Sequence, residues 1–284
     1  MEIINRRQRM SSISRKLRRE SKTVGFVATM GALHEGHLTL VREARLRCDI
    51  VIVSIFVNPV QFGPGEDFAK YPRDLAADAA VLSEYGVDYV FAPETSEIYP
   101  AGFSSYVYVE GLTETLEGAS RPGHFRGVAT VVTILFNTIR PDFAFFGSKD
   151  AQQVGVIKRL TRDLGFETEI VVVATVREES GLAMSSRNVF LSPELRQKAS
   201  IIYQSLLEAK TAFKNGERNG SKIAQIVQEK IESEPAARID YIAVVDNDAL
   251  EPIEKIDNTE VLVAVAVRFD NVRLIDNILL NRRQ

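Results

Sequence analysis

The sequence contains one cysteine, three histidines and no tryptophan among its 284 residues. Because Cys48 is the only cysteine, no disulfide can form within the chain, which favours a reducing compartment. The longest apolar runs, residues 50–57 and 261–267, are far shorter than the ~20 residues that cross a bilayer. The basic segment 1–20 lacks the apolar core of a secretory signal. We therefore expect a cytoplasmic protein without membrane partners.

Neither positive nor negative side chains are in large excess in the chain as a whole. The chain has 35 Lys and Arg against 38 Asp and Glu, a net charge of -3, and 45% hydrophobic residues, which is typical of a globular protein and gives no general reason to expect nucleic acid. Only the N-terminal segment is locally basic. There Ile4, Met10, Ile13 and Leu17 recur near helical spacing, which indicates an amphipathic helix with solvated arginines. A nucleic-acid arm is the less favoured alternative, because no aromatic residues are interleaved.

The first half of the chain alternates short β-branched runs with helical patterns, which predicts an α/β domain with a parallel sheet and helices on both faces. The predicted strands are residues 23–29, 50–57, 89–91, 142–146 and 169–174. The predicted helices between them are residues 37–47, 75–85 and 152–164. Cys48 is expected on a buried helix face.

After about residue 176 the pattern changes to two helical stretches followed by strands. The helices are predicted at residues 193–213 and 221–233, and short strands at 240–245, 261–267 and 272–275. These strands predict a small antiparallel sheet. We therefore expect two domains, residues 1–176 and a smaller α+β domain of residues 177–284.

The stretch ATMGALHEGHLTL places His34 and His37 in one turn directly after the first long predicted strand. Gly31 and Gly36 allow a sharp turn, and the following helix directs its N-terminal N–H groups towards a ligand, so this turn is expected to bind an anion such as phosphate. A P-loop is excluded, because His37 and Leu38 stand where that motif needs Lys and Ser/Thr. The three-residue separation of the histidines does not fit a zinc protease helix. Two surface histidines in a turn remain the alternative.

Two further loops follow predicted strands. Asn58 and Gln61 interrupt an apolar segment, where their amides can hold an alcohol or a carboxylate; an Asn-Pro turn explains Asn58 but not Gln61. In FGSKDAQQ, Lys149 can reach a phosphate, with Asp150 as a helix cap and Gln153 in the first helical turn. A solvated loop lysine is the alternative.

Two basic loops complete the candidate site. Arg121, His124 and Arg126 lie before an apolar helix that is expected to begin near residue 128; this loop either closes over an anion or is a mobile surface loop. Ser185, Ser186 and Arg187 lie near the domain boundary. They either clamp a triphosphate or form a turn that caps the next element.

Six ordered motifs carry a resemblance: TMGALHEGH, SIFVNPVQF, EGASRPGHFRGV, FGSKDAQQ, MSSRN and RLIDN, which together extend from residue 29 to residue 277. His34-Glu-Gly-His37 and the loop Met184-Ser-Ser-Arg187 resemble the ATP-binding motifs of the nucleotidylyltransferase superfamily. Within it, the chain resembles the pantothenate synthetase (pantoate-β-alanine ligase) family.

The resemblance implies a Rossmann-like N-terminal domain, a C-terminal lid domain, a homodimer and Mg²⁺-ATP as cosubstrate. It implies an AMP-forming ligase that makes pantothenate, a precursor of coenzyme A, in two steps. Pantoate carboxylate first attacks the α-phosphate of ATP to give pantoyl adenylate and pyrophosphate. The amine of β-alanine then attacks the acyl group and releases AMP.

The resemblance also assigns roles to residues. His34, His37, Lys149 and Arg187 are implied as catalytic, with His37 as proton donor. Gln61, Gln153 and Asn58 are implied to hold pantoate, and Gln61 also to contact β-alanine. The residues implied to bind ATP are Met30, Gly31, His34, His37, Gly147, Ser148, Lys149, Asp150, Val176, Met184, Ser185, Ser186 and Arg187.

One position departs from the family. Ala28 stands where the family usually has proline, which removes a fixed φ at the strand end and predicts a looser histidine loop. The metal ligands are not identified from the sequence, although aspartates such as Asp78 are candidates.

Two rival functions remain. A cytidylyltransferase-type enzyme is disfavoured by the two glutamines, and a tRNA-charging module is disfavoured because no basic C-terminal recognition segment is present.

Overall fold

The chain divides into two compact units in the computed structural model, which describes residues 1–257 and 260–281. The first unit comprises Met1–Ser148 and Gln153–Ala174. The second comprises Lys149–Gln152 and Thr175–Gln284. The short segment Lys149–Gln152 thus groups with the C-terminal unit, although its neighbours in sequence belong to the first.

The first unit contains a six-stranded sheet in the order β1-β4-β3-β2-β5-β6, and all of its strand pairs are parallel. Five of the strands lie where the alternation of apolar runs predicts them, so the expected parallel sheet is confirmed. The strands are β1 Glu2–Ile4, β2 Val24–Thr29, β3 Ile50–Ile55, β4 Tyr89–Phe91, β5 Phe143–Gly147 and β6 Glu169–Val173.

Helices cover both faces of this sheet, which explains why its strands are apolar throughout. On one face Val27 of β2 shares a buried cluster with Val41 and Leu82, which lie on α2 and α3. On the other face Phe26 packs edge-on against Phe136 of α6, with ring centroids 6.3 Å apart. The helices are α1 Arg7–Arg19, α2 Glu35–Arg47, α3 Leu75–Glu84, α4 Thr95–Ile98, α5 Glu117–Ser120, α6 His124–Ile139 and α7 Ala151–Asp163.

The N-terminal segment combines a strand with the predicted amphipathic helix. Met10, Ile13 and Leu17 are buried on α1, as their spacing predicts. Ile4 does not belong to this helix, because it ends β1 and pairs with Phe91 of β4. Its separation of six residues from Met10 is not a helical repeat distance, so Ile4 fits the strand better.

Two other features of the first unit refine the predictions. The apolar helix expected to begin near residue 128 begins at His124, after Gly123 in a left-handed conformation. Cys48 is buried at the end of α2 as predicted, and burial raises the pKa of its thiol to about 11. The thiol is therefore unreactive at neutral pH.

The second unit is an antiparallel sheet packed on helices, so the expected small antiparallel sheet is confirmed. The sheet has the order β7-β8-β9, and Val263, Val265 and Val267 of β8 share a buried cluster with residues of α9 and α10. Its elements are α8 Pro193–Lys198, α9 Ile201–Lys214, α10 Gly220–Glu232, β7 Ala237–Asp246, β8 Val261–Phe269 and β9 Val272–Leu280.

Two predictions for this unit are wrong in detail. The single helical stretch predicted over residues 193–213 is two helices, α8 and α9, separated at Ala199 and Ser200. Both linking residues keep α-region dihedrals and neither is Gly or Pro, so the sequence carries no breaker there. The strands are also longer than predicted, since β9 continues to Leu280 through Asp276 and Asn277.

Within the described residues, no helix combines the length and the apolar character that crossing a membrane requires.

Candidate active site

His34 and His37 cap the start of α2 reciprocally. The Nδ1 atom of His34 accepts a hydrogen bond from the N–H of Gly36 at 3.1 Å, and Nδ1 of His37 accepts one from the N–H of His34 at 3.3 Å. The two histidines therefore replace the Ser/Thr and Glu of an ordinary capping box. Their ring centroids lie 4.1 Å apart. Because both Nδ1 atoms accept, the N–H of each neutral ring lies on Nε2.

The turn before these histidines is held by the buried carboxylate of Asp78, on α3. One oxygen accepts from the N–H of Ala32 at 3.0 Å and the other from the N–H of Leu33 at 2.9 Å. Gly31 has φ +82°, and a Cβ there would lie 2.8 Å from Asp78 Oδ2. The predicted glycine is thus required both by its dihedral angle and by the close approach of Asp78.

Asn58 and Gln61 form one hydrogen-bonded pair after β3. Nδ2 of Asn58 donates to Oε1 of Gln61 at 3.0 Å, and Nε2 of Gln61 points to Sδ of Met30 at 3.0 Å. Asn58 is only 1% exposed, and its amide bonds protein groups on both sides. Gln61 is partly exposed, so it is the member of the pair that can meet a ligand.

Arg121 and His124, where the basic loop meets the start of α6, belong to a hydrogen-bonded network, whereas Arg126 is exposed. Arg121 binds both carboxylate oxygens of Glu66, at 2.8 and 2.7 Å, and its Nη1 lies 3.1 Å from Nε2 of His124. Nδ1 of His124 lies 2.9 Å from the carbonyl oxygen of Gln61. Burial, reinforced by Arg121, lowers the pKa of His124 to about 4, so this ring is neutral at physiological pH.

Gly147 and Gln153 belong to the first unit. Gly147 ends β5, and no atom lies within 4 Å of the position that its Cβ would occupy. Gln153 lies in the first turn of α7 and is partly buried.

Lys149 and Asp150 lie in the segment that groups with the second unit. Both are in a short 3-10 turn, Ser148–Asp150, directly before α7, and both are partly exposed. The side-chain amide of Asn277, on β9, donates to the carbonyl oxygen of Lys149 at 2.8 Å. The backbone of Lys149 is thereby tied to the C-terminal sheet.

The loop that contains Met184 and Arg187 folds against the segment that begins at Val176. The N–H of Met184 donates to the carbonyl of Val176 at 2.9 Å. Ser185 Oγ accepts a hydrogen bond from the N–H of Arg187 at 3.2 Å and thereby caps a 3-10 turn. Of the two roles expected from the sequence for this loop, the structure thus contains the cap of the next element.

Buried polar side chains support that loop. Nδ2 of Asn188 donates to Glu178 at 2.7 Å. Arg177 pairs with both oxygens of Asp276 at 2.6 and 3.0 Å and stacks 3.6 Å from the ring centroid of Tyr203.

The predicted site residues are therefore distributed over both units. Those in the first unit are Met30, Gly31, His34, His37, Asn58, Gln61, Gly147, Ser148 and Gln153. Those in the second are Lys149, Asp150, Val176, Met184, Ser185, Ser186 and Arg187.

Several residues that support the candidate site have roles that the sequence does not indicate. The sequence indicates Asp78 only as a candidate metal ligand, whereas in the structure it is a buried hydrogen-bond acceptor within an alanine-rich helix. Tyr99 and Glu66 carry no local signal. Asp276 and Asn277 belong to the quoted RLIDN motif. Two polar residues within a strand are the only feature of the sequence that indicates a supporting role for them.

Comparisons with known proteins identify one family, and the matches cover nearly the whole chain. The family model described as Pantoate-beta-alanine ligase matches residues 2–279. A pantothenate synthetase from Heliobacterium modesticaldum is 54% identical over 279 residues, which cover 98% of this chain and 99% of the relative. Another from Pelotomaculum thermopropionicum is 52% identical over 282 residues, 99% of this chain and 100% of the relative.

Two solved structures are similar in fold and in sequence. Pantothenate synthetase from Thermus thermophilus has a TM-score of 0.92 and 47% identity, over 98% of this chain and 99% of that one. Pantoate-beta-alanine ligase from Francisella tularensis, complexed with beta-gamma ATP and beta-alanine, has a TM-score of 0.81 and 36% identity, over 98% and 97%.

Proposed function

Since this chain belongs to the pantoate-β-alanine ligase family, we propose that the histidine turn and the loops described above carry out the family's reaction. The reaction condenses pantoate with β-alanine at the expense of ATP and passes through pantoyl adenylate. In the first step, a pantoate carboxylate oxygen attacks the α-phosphorus and pyrophosphate leaves. In the second, the amine of β-alanine attacks the acyl carbon, AMP leaves and pantothenate forms.

The first step needs charge relief and not a general base, because a carboxylate is already ionised at neutral pH. A nucleophilic anion must approach a polyanion, so donors that are fixed in advance and a correct in-line geometry lower the barrier. The reciprocal caps of His34 and His37 supply such preorganisation. Their Nδ1 bonds fix both rings and leave the ring N–H on Nε2.

We assign the phosphate contacts accordingly. His34 and His37 donate hydrogen bonds from Nε2 to oxygens of the triphosphate, and Lys149 and Arg187 neutralise the developing charge. The role of proton donor that the resemblance implies for His37 needs an imidazolium; with Nδ1 accepting from the N–H of His34, we assign this ring a hydrogen bond from Nε2 instead. Ser185 and Ser186 add hydroxyl contacts. The other ATP-binding residues are Met30, Gly31, Gly147, Ser148, Asp150, Val176 and Met184.

Gln61 and Gln153 are assigned to pantoate. Neutral amides suit this substrate, because they bind its oxygens without neutralising the carboxylate that must react. Gln61 is further assigned to β-alanine. Asn58 was predicted to contact pantoate directly, but its 1% exposure favours an indirect role in which it holds Gln61.

Magnesium is assigned to the substrate as Mg²⁺-ATP. Among residues 1–257 and 260–281, no group of three His, Cys, Asp or Glu side chains is placed to hold a metal ion. Both oxygens of Asp78 accept backbone N–H groups. Binding of Mg²⁺ chiefly through phosphate oxygens and water matches the usual chemistry of this ion.

Three further assignments rest on family resemblance: residues 177–284 as the lid domain, a homodimer, and a cytoplasmic location. The dimer is tested by light scattering during size-exclusion chromatography, for which a mass of about twice the 31.7 kDa of the chain is expected.

The observation that carries the proposal is the reciprocal capping of α2 by His34 and His37. The reaction course is tested with pantoate labelled with ¹⁸O in both carboxylate oxygens, by mass spectrometry of the products. One labelled oxygen is expected in AMP and the other in the amide carbonyl of pantothenate. Label retained wholly outside AMP would contradict the adenylate route. A stable nucleotide ester of a pantoate hydroxyl, formed in place of the amide, would favour a nucleotidyl transfer.

A further inference from the structure

The side chain of Asn58 has only one possible orientation. The N–H of Val60, which can only donate, points to its Oδ1 at 3.3 Å. The carbonyl of Gly127, which can only accept, receives a hydrogen bond from its Nδ2 at 3.1 Å. These two backbone groups identify the oxygen and the nitrogen of the Asn58 amide independently of any other side chain.

That orientation fixes the direction of the neighbouring hydrogen bonds. The hydroxyl of Tyr99 lies 2.8 Å from Asn58 Oδ1 and must donate to it. Burial raises the pKa of the Tyr99 phenol above its usual value, so the donor proton is retained. The remaining N–H of Asn58 donates to Oε1 of Gln61 at 3.0 Å.

The Gln61 amide is consequently fixed as well. Its oxygen is occupied by Asn58, and its Nε2 donates towards the sulfur of Met30 at 3.0 Å. A thioether is a weak acceptor, so a substrate oxygen can replace it at little cost. Asn58 uses one of the two acceptor positions of Oε1, and the N–H that faces the weak thioether acceptor is the group that Gln61 releases most readily to a ligand.

The backbone of Gln61 is held from the other side by His124. Arg121 can only donate to Nε2 of His124, so this nitrogen accepts and Nδ1–H donates to the carbonyl of Gln61. Glu66 fixes Arg121 through two hydrogen bonds. With the backbone fixed, the orientation of the Gln61 amide depends on how firmly Asn58 is held. The hydroxyl of Tyr99 makes the shorter hydrogen bond to Asn58 Oδ1, 2.8 Å against 3.3 Å from the N–H of Val60, so it contributes most to holding that oxygen in place.

We propose that Tyr99 is a positioning residue which, through Asn58, holds Gln61 with its N–H towards an acceptor oxygen of the acid substrate. This inference rests on the proposed contact of Gln61 with pantoate. It implies that the site selects a hydroxyl or carboxylate oxygen at this point and disfavours a donor-only group such as an ammonium.

Tyr99→Phe is the central variant, because it removes one hydroxyl. The ring contacts of Tyr99 with Phe56 and Phe103 can persist, at centroid distances of 6.3 and 5.0 Å. We expect the KM for pantoate to rise about five- to tenfold, as for the loss of one hydrogen bond, while the KM for ATP changes less than about twofold. Tyr108→Phe is the matched control, because it also removes a hydroxyl that bonds a side chain, that of Glu114. No change in either KM is expected for it.

A double-mutant cycle separates positioning from general loss of structure. If Tyr99 acts through Gln61, Tyr99→Phe adds nothing to the pantoate KM of Gln61→Ala. Additive effects, or an unchanged pantoate KM in Tyr99→Phe, would overturn the inference. An unchanged pantoate KM in Gln61→Ala itself would instead show that the proposed contact of Gln61 is wrong.

Discussion

The Nδ1 atom of His37 accepts a hydrogen bond from the N–H of His34, 3.3 Å away. This bond and its counterpart from Gly36 to His34 explain why two of the three histidines of the chain share one turn. Each ring satisfies an N–H group at the start of α2 and is thereby oriented by the helix that it caps. The hydrogen bonds that stabilise the start of α2 therefore occupy Nδ1 of both rings.

The two roles of His34 can be separated by substitution. Asparagine is a good N-cap, so His34→Asn should keep the stability of the wild type, whereas His34→Ala should lose about 1 kcal/mol. Both variants lack the Nε2 donor, so kcat should fall about a hundredfold in each. Chemical denaturation and steady-state kinetics measure the two effects. Wild-type kcat in His34→Asn would rule out a contact of this ring with the reacting phosphates.

Asp78 should act as the anchor of the histidine turn. In Asp78→Asn one oxygen becomes an NH₂ group that faces a backbone N–H, so we expect kcat/KM for ATP to fall about tenfold or more. Asp74→Asn is the matched control on the same helix, because Asp74 caps α3 and asparagine caps equally well.

If Asp78 anchors the turn and does not bind the metal, its substitution should leave the magnesium requirement of the enzyme unchanged. Because the metal is assigned to the phosphates, the Mg²⁺ concentration needed for half-maximal activity at saturating ATP should be the same in Asp78→Asn and in the wild type. A large rise in that concentration would identify Asp78 as a metal ligand instead.

Gly127 should be required for the close approach of α6 to Gln61. A Cβ at this position would lie 2.6 Å from the backbone N and Cα of Gln61, so Gly127→Ala should cost about 1–3 kcal/mol and raise the KM for pantoate. Gly155→Ala on α7 is the control. Its Cβ would meet no atom within 4 Å, and it should stabilise the helix by about 0.5–1 kcal/mol. Equal stabilities of the two variants would show that the contact at Gly127 is not restrictive.

The neutral His124 should make stability depend on pH. Its pKa is lowered from 6.5 to about 4, chiefly by burial and then by Arg121, against the opposing influence of the hydrogen bond to the carbonyl of Gln61 and of the carboxylates of Glu117 and Glu66. The unfolded chain therefore binds a proton at a higher pH than the folded one does. The associated stability is complete above about pH 6.5 and falls by on the order of 3 kcal/mol as the pH drops to about 4.

The variant His124→Gln lacks this titration. The difference in unfolding free energy between wild type and variant, measured by urea denaturation from neutral to acidic pH, should shrink as the pH falls. A difference that stays constant with pH would show that His124 is not held neutral in the folded protein.

The sheet of the first unit was predictable because burial on both faces leaves long apolar runs with helical patterns between them. Its strand β1 was missed, since three residues are too few for a periodic signal. In the second unit, the predicted strand ends at residue 275, before the polar residues Asp276 and Asn277. They remain in the strand because Arg177 pairs with Asp276 and the carbonyl of Lys149 accepts from Asn277.

The histidine turn was predictable because glycines, a preceding strand and a following helix are all visible in the sequence. The capping geometry was not, since histidine rarely replaces Ser/Thr and Glu in a capping box. The dependence of Gln61 on Tyr99 and His124 was also hidden, because these residues lie 38 and 63 positions away. Only folding brings their hydrogen bonds together.

A crystal structure with a non-hydrolysable ATP analogue tests the central claim most directly. We predict that the triphosphate lies at the start of α2, with phosphate oxygens about 3 Å from Nε2 of His34 and of His37. A nucleotide whose triphosphate lies elsewhere, with both histidine rings still capping the helix and no phosphate near them, would contradict the account.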